Sequence, residues 1–536
     1  MGNYLNSKAP WEVFQREAKA PYFVDKSELL KEVLQQVEWG SRYICITRPR
    51  RFGKTMAANM LSSFLSEGID SEALFRSLKI GKNEDYMKYQ GKFQVISITF
   101  NKVPAKCNSY DEYIERIENN LIEDLKSAYP QYNFKPGEAV WDILSGIYES
   151  EEAKFVFVLD EWDYIFHRDF VTERDKLLYL DFLNSLLKGN AFVEFAYMTG
   201  ILPIAKYSSG SELNMFLEYT MITETRYSTY YGFTESEVDE LYGRYLANCS
   251  EPVVTREGLR TWYNGYHTLS KEKVYNPRSV VSALLNNNLG SYWTSSGPYD
   301  EIFYYIEKNV DDVRNELALM VSGQPVRAKI REYAAVSMNL STKNEIFSAM
   351  VVYGFLSYEN GYVSIPNKEL MDKFGNMLMK EPSLGYVYRL ARESERMIQA
   401  TLNRDVDTVC QILEFAHNTE VPLLHYNNEV ELTAIVNLVY LAARDYYRIE
   451  REDKAGIGYV DFIFYPEERN ATGIILELKV DHSAQEAIQQ IKDKGYQQKF
   501  LGKMAGEPKY TGSVIAVGIA YDKKTKKHSC VIEQLA

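Results

Sequence analysis

Residues 42–55 read RYICITRPRRFGKT. Residues 42–47, RYICIT, read as a short buried strand. After the basic turn, MAANMLSSFL places Met56, Met60, Leu61 and Phe64 at helical spacing. A strand that feeds a helix through such a turn is the local geometry a bound phosphate needs. Backbone N–H groups at the helix start supply positive potential, Lys54 reaches the β- and γ-phosphates, and the Thr55 hydroxyl can ligate Mg²⁺. Gly53 precedes the lysine, and Arg50 and Arg51 add two cations. The general pattern G-x-x-x-x-G-K-[ST] asks for glycine at position 48, where this chain has Arg48. A basic turn that merely starts a helix is the competing reading.

Working outward, FQVISITF (93–100) reads as a second strand, followed by a helix from about Tyr110 to Ala128. FVFVL (155–159) is a third strand that ends on Asp160 and Glu161, and VEFAYMT (193–199) is a fourth that ends on Thr199. Strands alternating with helices predict a parallel α/β sheet covered on both faces. In such a frame Asp160 would hold the Mg²⁺ shell and Glu161 would polarise the attacking water. Thr199 stands where a γ-phosphate sensor would sit, and Arg226 could act in cis. Acids that cap a solvated strand edge are the alternative for Asp160 and Glu161.

From about Thr234 the strand pattern gives way to short helices and turns, and helical character continues to about residue 400. The last ~120 residues change again. ELTAIVNLVYLAARDYY (431–447) predicts a helix, and YVDFIFYP (459–466) and TGIILELKV (472–480) predict strands. AQEAIQQIKDKGYQQKF (484–500) predicts a helix and SVIAVGIAY (513–521) a strand. Glu477 and Lys479 are two apart in one strand and share a face. Pairing with the preceding strand can bring Asp461 beside Glu477, and two such carboxylates suit a divalent metal. Lys479 could then orient a water or stabilise a charged phosphate transition state. A surface ion pair between Glu477 and Lys479 remains the plainer alternative. Glu429 is a candidate third carboxylate, with Glu431 nearly as good, and Gln490, Lys492 and Lys494 on the following helix are candidate nucleic-acid contacts.

Composition bounds these readings. The chain has 536 residues, 46% hydrophobic and 25% charged, which excludes wholesale disorder and points to several structural units. Its 61 Lys and Arg stand against 74 Asp and Glu, a net charge of −13 that excludes coating of nucleic acid by bulk charge. From Ala471 onward ten Lys or Arg face seven Asp or Glu, a local reversal to +3 that suits a phosphate backbone. The five cysteines are dispersed without a C-x-x-C pair, which fits a reducing compartment and argues against a zinc site. With no apolar leader and no apolar run of ~18 residues, the expected location is the cytoplasm, away from any membrane.

These blocks resemble the bacterial AAA-ATPase-like proteins fused to a C-terminal PD-(D/E)XK nuclease-superfamily domain. YFVDKSELL (22–30), RPRRFGKT, VLDEWD (158–163), TGILPIAK (199–206), WYNGYH (262–267) and YNPRSVVSAL (275–284) carry the first part of the likeness. GYVDFIFYP, IILELKV and AIQQIKDKGY carry the second. The resemblance implies a phosphate loop that commonly lacks its first glycine. It places Asp461, Glu477 and Lys479 in a metal-dependent active site, with Val460 where a proline is usual, and Glu429 as a helix-borne acid. The expected fold is α/β: an N-terminal P-loop NTPase parallel sheet (1–233), a mainly helical lid or linker region (234–400) and a C-terminal nuclease-like α/β domain (401–536). The expected activity is ATP binding with Mg²⁺ or Mn²⁺, coupled to metal-dependent cleavage of nucleic acid. DNA is the expected substrate by superfamily likeness alone. Arg51, Gly53, Lys54, Thr55, Asp160 and Thr199 would serve the nucleotide. The alternative is a signalling NTPase whose C-terminal domain binds nucleic acid or a protein partner without cutting; a blander one is an inactive scaffold. A homo-oligomer or a protein partner is a further expectation.

Overall fold

The computed structural model describes residues 2–204, 213–270, 272–293, 310–330, 342–418, 429–455, 458–496, 500 and 510–535. The chain divides into two compact units. The first comprises Met1–Gly297, Ala328–Leu340 and Asn344–Gly361; the second comprises Pro298–Arg327, Ser341–Lys343 and Tyr362–Ala536. The region expected as a separate middle piece is thus shared between the two.

The first unit is built on five parallel strands: β1 (Tyr43–Thr47), β2 (Gln94–Thr99), β3 (Phe155–Asp160), β4 (Val193–Gly200) and β5 (Leu217–Tyr219). Their order is β2-β3-β4-β1-β5. Alternation sends successive side chains to opposite faces. Ile44, Ile46, Val156, Val158, Phe195 and Tyr197 pack with Leu61, Phe64 and Leu65 of helix α1 (Lys54–Leu65). Cys45, Ile96, Ile98, Phe157, Leu159 and Met198 face helices α2 (Tyr110–Ala128), α3 (Val140–Glu151) and α4 (Glu173–Leu187). Both faces are dry, which is why these strands read as nearly continuous apolar runs. Each fully buried aliphatic side chain stabilises the sheet by about 1.5–3 kcal/mol.

The register lines up the strand ends. Thr47 sits opposite Gly200, and Thr99 opposite Asp160. The loops that follow β1, β3 and β4 therefore open on one edge of the sheet, where parallel α/β sheets place their ligands. Three further helices, α5 (Glu235–Asn248), α6 (Arg256–Tyr263) and α7 (Pro277–Asn286), form a small core around Val238, Leu241, Leu259 and Val280. Tyr22 and Phe233 belong to that core, so these helices join the first unit.

The second unit contains helix α8 (Glu429–Val439) and a five-stranded sheet ordered β6-β7-β8-β9-β10. Its strands are β6 (Tyr447–Ala455), β7 (Gly458–Pro466), β8 (Gly473–Val480), β9 (Val514–Asp522) and β10 (Lys527–Leu535). β7 and β8 are an antiparallel pair, whereas β8 and β9 run parallel with helix α9 (Ala484–Asp493) as the crossover. The helix expected through Tyr447 stops at Val439, and a 3₁₀ turn at Leu441–Asp445 leads into β6. β6 (YRIEREDKA) and β10 have no clean alternation; pairing with β7 and β9 makes them strands. Among the described residues no helix is long and apolar enough to cross a membrane.

Candidate functional site

The turn after β1 enters α1 at Gly53, whose φ of +92° is left-handed backbone that favours glycine. A Cβ built there meets nothing within 4 Å, so the constraint is the backbone angle and the open approach above it. Lys54, the first residue of α1, is buried, and its Nζ donates to the carbonyls of Arg48 (2.8 Å) and Pro49 (2.9 Å). Burial lowers its ammonium to about 8, against the pull of Asp163, Asp160 and Glu161. Thr55 is exposed at the same helix start.

β4 lies between β1 and β3, and this places Thr199 beside Asp160. Thr199 Oγ1 donates to Asp160 Oδ1 at 2.5 Å, and the Thr55 hydroxyl also bonds the Asp160 carboxylate. Asp160 Oδ2 is buried and has no partner among the described residues. Burial raises the carboxyls of Asp160, Glu161 and Asp163. Asp163 accepts from the backbone N–H groups of Ile201 (3.1 Å) and Leu202 (2.7 Å), and so ties the turn after β3 to the turn after β4. Trp162, buried, donates to the Leu202 carbonyl at 3.2 Å, a packing role.

A cavity of about 530 Å³ opens over these groups, bordered by Arg50, Arg51, Lys54, Thr55, Glu161 and Arg278. Arg278 was not singled out from the sequence. It occupies the first turn of α7, where Asn276 caps the helix by accepting from Ser279 N and Pro277 presets the first turn. The only sequence signal for it was its place in the YNPRSVVSAL block. A second cavity of about 220 Å³ shares Arg51, Gly53, Met56 and Arg278 with the first and is walled by Phe23, Val24 and Phe233. Arg226, considered for a role in cis, instead pairs with Glu32 at 3.3 Å and lies over the Trp39 ring at 5.0 Å; it does not border either cavity.

In the second unit, the β7–β8 register pairs Phe462 with Leu476 and carries Asp461 to the level of Glu477. Asp461 Oδ2 accepts from Leu478 N at 2.7 Å. Lys479 Nζ contacts Glu477 Oε1 at 3.2 Å, so the pair suggested by their spacing forms, but Glu477 is only 3% exposed and the pair is no surface bridge. Burial, then the neighbouring Asp461, pushes the Glu477 carboxyl up to about 7 against the pull of Lys479. Gln490 of α9 donates to Glu477 Oε1, which turns a candidate nucleic-acid contact into a support for the carboxylate. α9 comes this close because β9 carries Gly518 beneath it: a Cβ there would lie 2.3 Å from the Ala484 carbonyl. Lys492 pairs with Glu533 at 2.5 Å, and Lys494 ends α9 near the Tyr496 ring. His482 pairs with Glu486 at 3.0 Å. Glu429 begins α8, and its side chain and that of Glu431 lie outside the described residues. Among the described residues no three His, Cys, Asp or Glu side chains group as a metal cage, but Glu477 Oε2 is buried without a partner. Two oxygen-bearing carboxylates, one with an orphaned oxygen, fit a hard divalent cation; so do Thr55 and Asp160 in the first unit.

A model of predicted AAA-ATPase domains matches residues 13–209, and a model of the PD-(D/E)XK nuclease superfamily matches residues 428–529. The chain carries an AAA-ATPase-like domain and a PD-(D/E)XK nuclease-superfamily domain. An uncharacterised protein from the vnfD 5′ region of Azotobacter chroococcum mcd 1 is 25% identical over 522 residues, covering 92% of each chain. Among solved structures, the Walker-type ATPase paby2304 of Pyrococcus abyssi is similar over 66% of this chain and 96% of its own, at 13% identity and a TM-score of 0.37. The Aeropyrum pernix ORC2 protein is similar over 66% and 94%, at 12% identity and a TM-score of 0.32. The AAA-ATPase-like match covers β1 to β4 with the basic turn after β1 and the acid-bearing turn after β3, and the nuclease-superfamily match covers Asp461, Glu477 and Lys479.

Proposed function

We propose that the AAA-ATPase-like domain binds and hydrolyses ATP and that the nuclease-superfamily domain cleaves DNA with a divalent metal. One observation carries the reading: in each unit a lysine and carboxylates converge where strands end or pair, and in each, among the described residues, a buried carboxylate oxygen is left unpartnered. The ATPase part is supported by cations and acids around one cavity. Lys54, Arg51 and Arg278 would hold phosphate oxygens, and the apolar cavity that shares Arg51 and Arg278 would take the base. Lys54 would exchange its two carbonyl partners for phosphate oxygens, which offsets the cost of its burial.

Thr55 and Asp160 would hold Mg²⁺ or Mn²⁺, which neutralises charge on the phosphates when bound. Asp160 is committed to Thr199 and Asp163 to the backbone after β4. Glu161 is then the carboxylate left to take a proton from water, and its raised pKa makes it a better base. Asn101 bonds Glu161 and would orient it.

In the second unit Asp461 and Glu477 would hold the metal and Lys479 would steady the charge that builds on a phosphodiester. Without metal, burial favours the protonated form of Glu477, and its two donors, Lys479 and Gln490, bias it towards the charged form. A non-cutting signalling module is the second reading. It is favoured by the net charge of −13 and by Arg48 in place of the first glycine of the phosphate loop.

The test is cleavage of single- and double-stranded DNA with Mg²⁺ or Mn²⁺, with and without ATP, for wild type, Asp461→Ala and Lys54→Ala. Cutting that is lost in Asp461→Ala, and that responds to ATP only with Lys54 intact, supports the coupled enzyme. Nucleotide binding without cutting under any condition selects the signalling module.

A further inference from the structure

We propose that Arg48 is a positioning residue that ties the phosphate loop to the sheet and sets Lys54 for the nucleotide; the inference rests on the nucleotide reading above. Position 48 is where general phosphate loops carry glycine. Here φ at residue 48 is not positive, so the backbone does not demand glycine and a side chain is free to act. That side chain turns inward and is 1% exposed. Its Nη1 donates to the carbonyls of Thr47 and Tyr219, both at 2.8 Å, which links the ends of β1 and β5. The guanidinium lies over the Tyr231 ring at 5.0 Å, and the Tyr231 hydroxyl bonds that of Tyr197 on β4. One residue therefore joins three strands or their flanking turns, while its own carbonyl and that of Pro49 hold Lys54 Nζ.

The arrangement is a poor choice for stability alone. No carboxylate pairs with Arg48 among the described residues, and its Nε and Nη2 are buried without partners. The group borders a cavity of about 20 Å³ with Thr47 and Thr220, room for one water. A buried, unpaired cation is costly, and apolar replacements of such groups are often neutral or stabilising. What an apolar side chain cannot do is fix the start of the loop through a guanidinium whose Nη1 holds two carbonyls while its plane lies over a ring. Arg48 thus replaces the tight turn of a glycine loop with a side-chain anchor.

The experiment titrates the full-length protein with a fluorescent ATP analogue and Mg²⁺, and records melting without nucleotide. Wild type, Arg48→Gly, Arg48→Met, Arg48→Lys and Lys54→Ala are compared. Arg48→Gly restores the general motif, yet it and Arg48→Met are expected to weaken nucleotide binding about tenfold or more, with melting unchanged or higher. Arg48→Lys is expected to fall between. A merely structural arginine would lower the melting temperature and leave affinity alone. Arg48→Gly binding within about twofold of wild type overturns the inference, and if that variant does not fold, Arg48→Lys decides by the same threshold. Wild type that fails to bind, or Lys54→Ala that binds like wild type, overturns the nucleotide reading and this inference with it.

Discussion

The two lysine–carboxylate sites solve one problem in opposite ways. In the first unit, among the described residues, Lys54 does not touch the acids around it; its ammonium is held by two backbone carbonyls, while Asp160 accepts from the Thr199 and Thr55 hydroxyls and keeps Oδ2 unpartnered. In the second, Lys479 meets Glu477 directly and Gln490 adds a second donor. Under the proposed function the first site would exchange carbonyls for an incoming anion. In the second, burial and Asp461 push the Glu477 carboxyl up to about 7, and under the proposed function loss of its proton and arrival of a cation would be coupled. A phosphate ligand calls for the first arrangement and a metal for the second.

The widest separation between the sites is expected from Asp461→Ala. It should lower metal-dependent cleavage by about 10²–10³ and leave nucleotide affinity unchanged, as read from a gel assay beside an ATP-analogue titration. If nucleotide binding falls as well, the two sites are not chemically independent. Lys54→Ala should weaken the ATP analogue by about 100-fold without altering Mn²⁺ binding by the second unit, measured calorimetrically.

Glu477→Gln sharpens the contrast through pH. The folded chain keeps a proton on Glu477 up to about pH 7, whereas the unfolded chain releases it near the ordinary value of 4.5. Wild type therefore loses stability as pH rises through that window. Without divalent metal, Glu477→Gln should be more stable than wild type by up to ~3 kcal/mol at pH 8 and equal to it at pH 4, by denaturant titration. Mn²⁺ should stabilise wild type and not the variant. The smallest effect belongs to Gln490→Ala, which removes one donor to Glu477 and should cost about 1 kcal/mol of stability at pH 8. A larger loss at pH 5 than at pH 8 would contradict its role as a donor to the charged form.

Much of this was legible along the chain. The strands at 43–47, 94–99, 155–160 and 193–200 and the helix at 110–128 fall within a residue of their expected bounds, because both faces of the sheet are buried. β6 was not legible, since Arg448, Glu450 and Arg451 give it no apolar alternation and only its pairing with β7 makes it a strand. Arg226 illustrates the converse: a cation at a suggestive position goes to Glu32 and Trp39.

The sequence by itself determined the strand–turn–helix around Lys54, the acids that end β3, and the shared face of Glu477 and Lys479. These depend on neighbours a few residues away, where periodicity and backbone preference act. The tertiary structure alone decided that β4 enters between β1 and β3 and brings Thr199 onto Asp160. It also decided that Arg278 arrives at the phosphate loop more than two hundred residues after it, that Arg48 turns inward beneath Tyr231, and that Gln490 reaches Glu477. Contacts between residues so far apart leave no local pattern; they are selected by which apolar faces bury together, and the polar groups meet as a consequence of that packing.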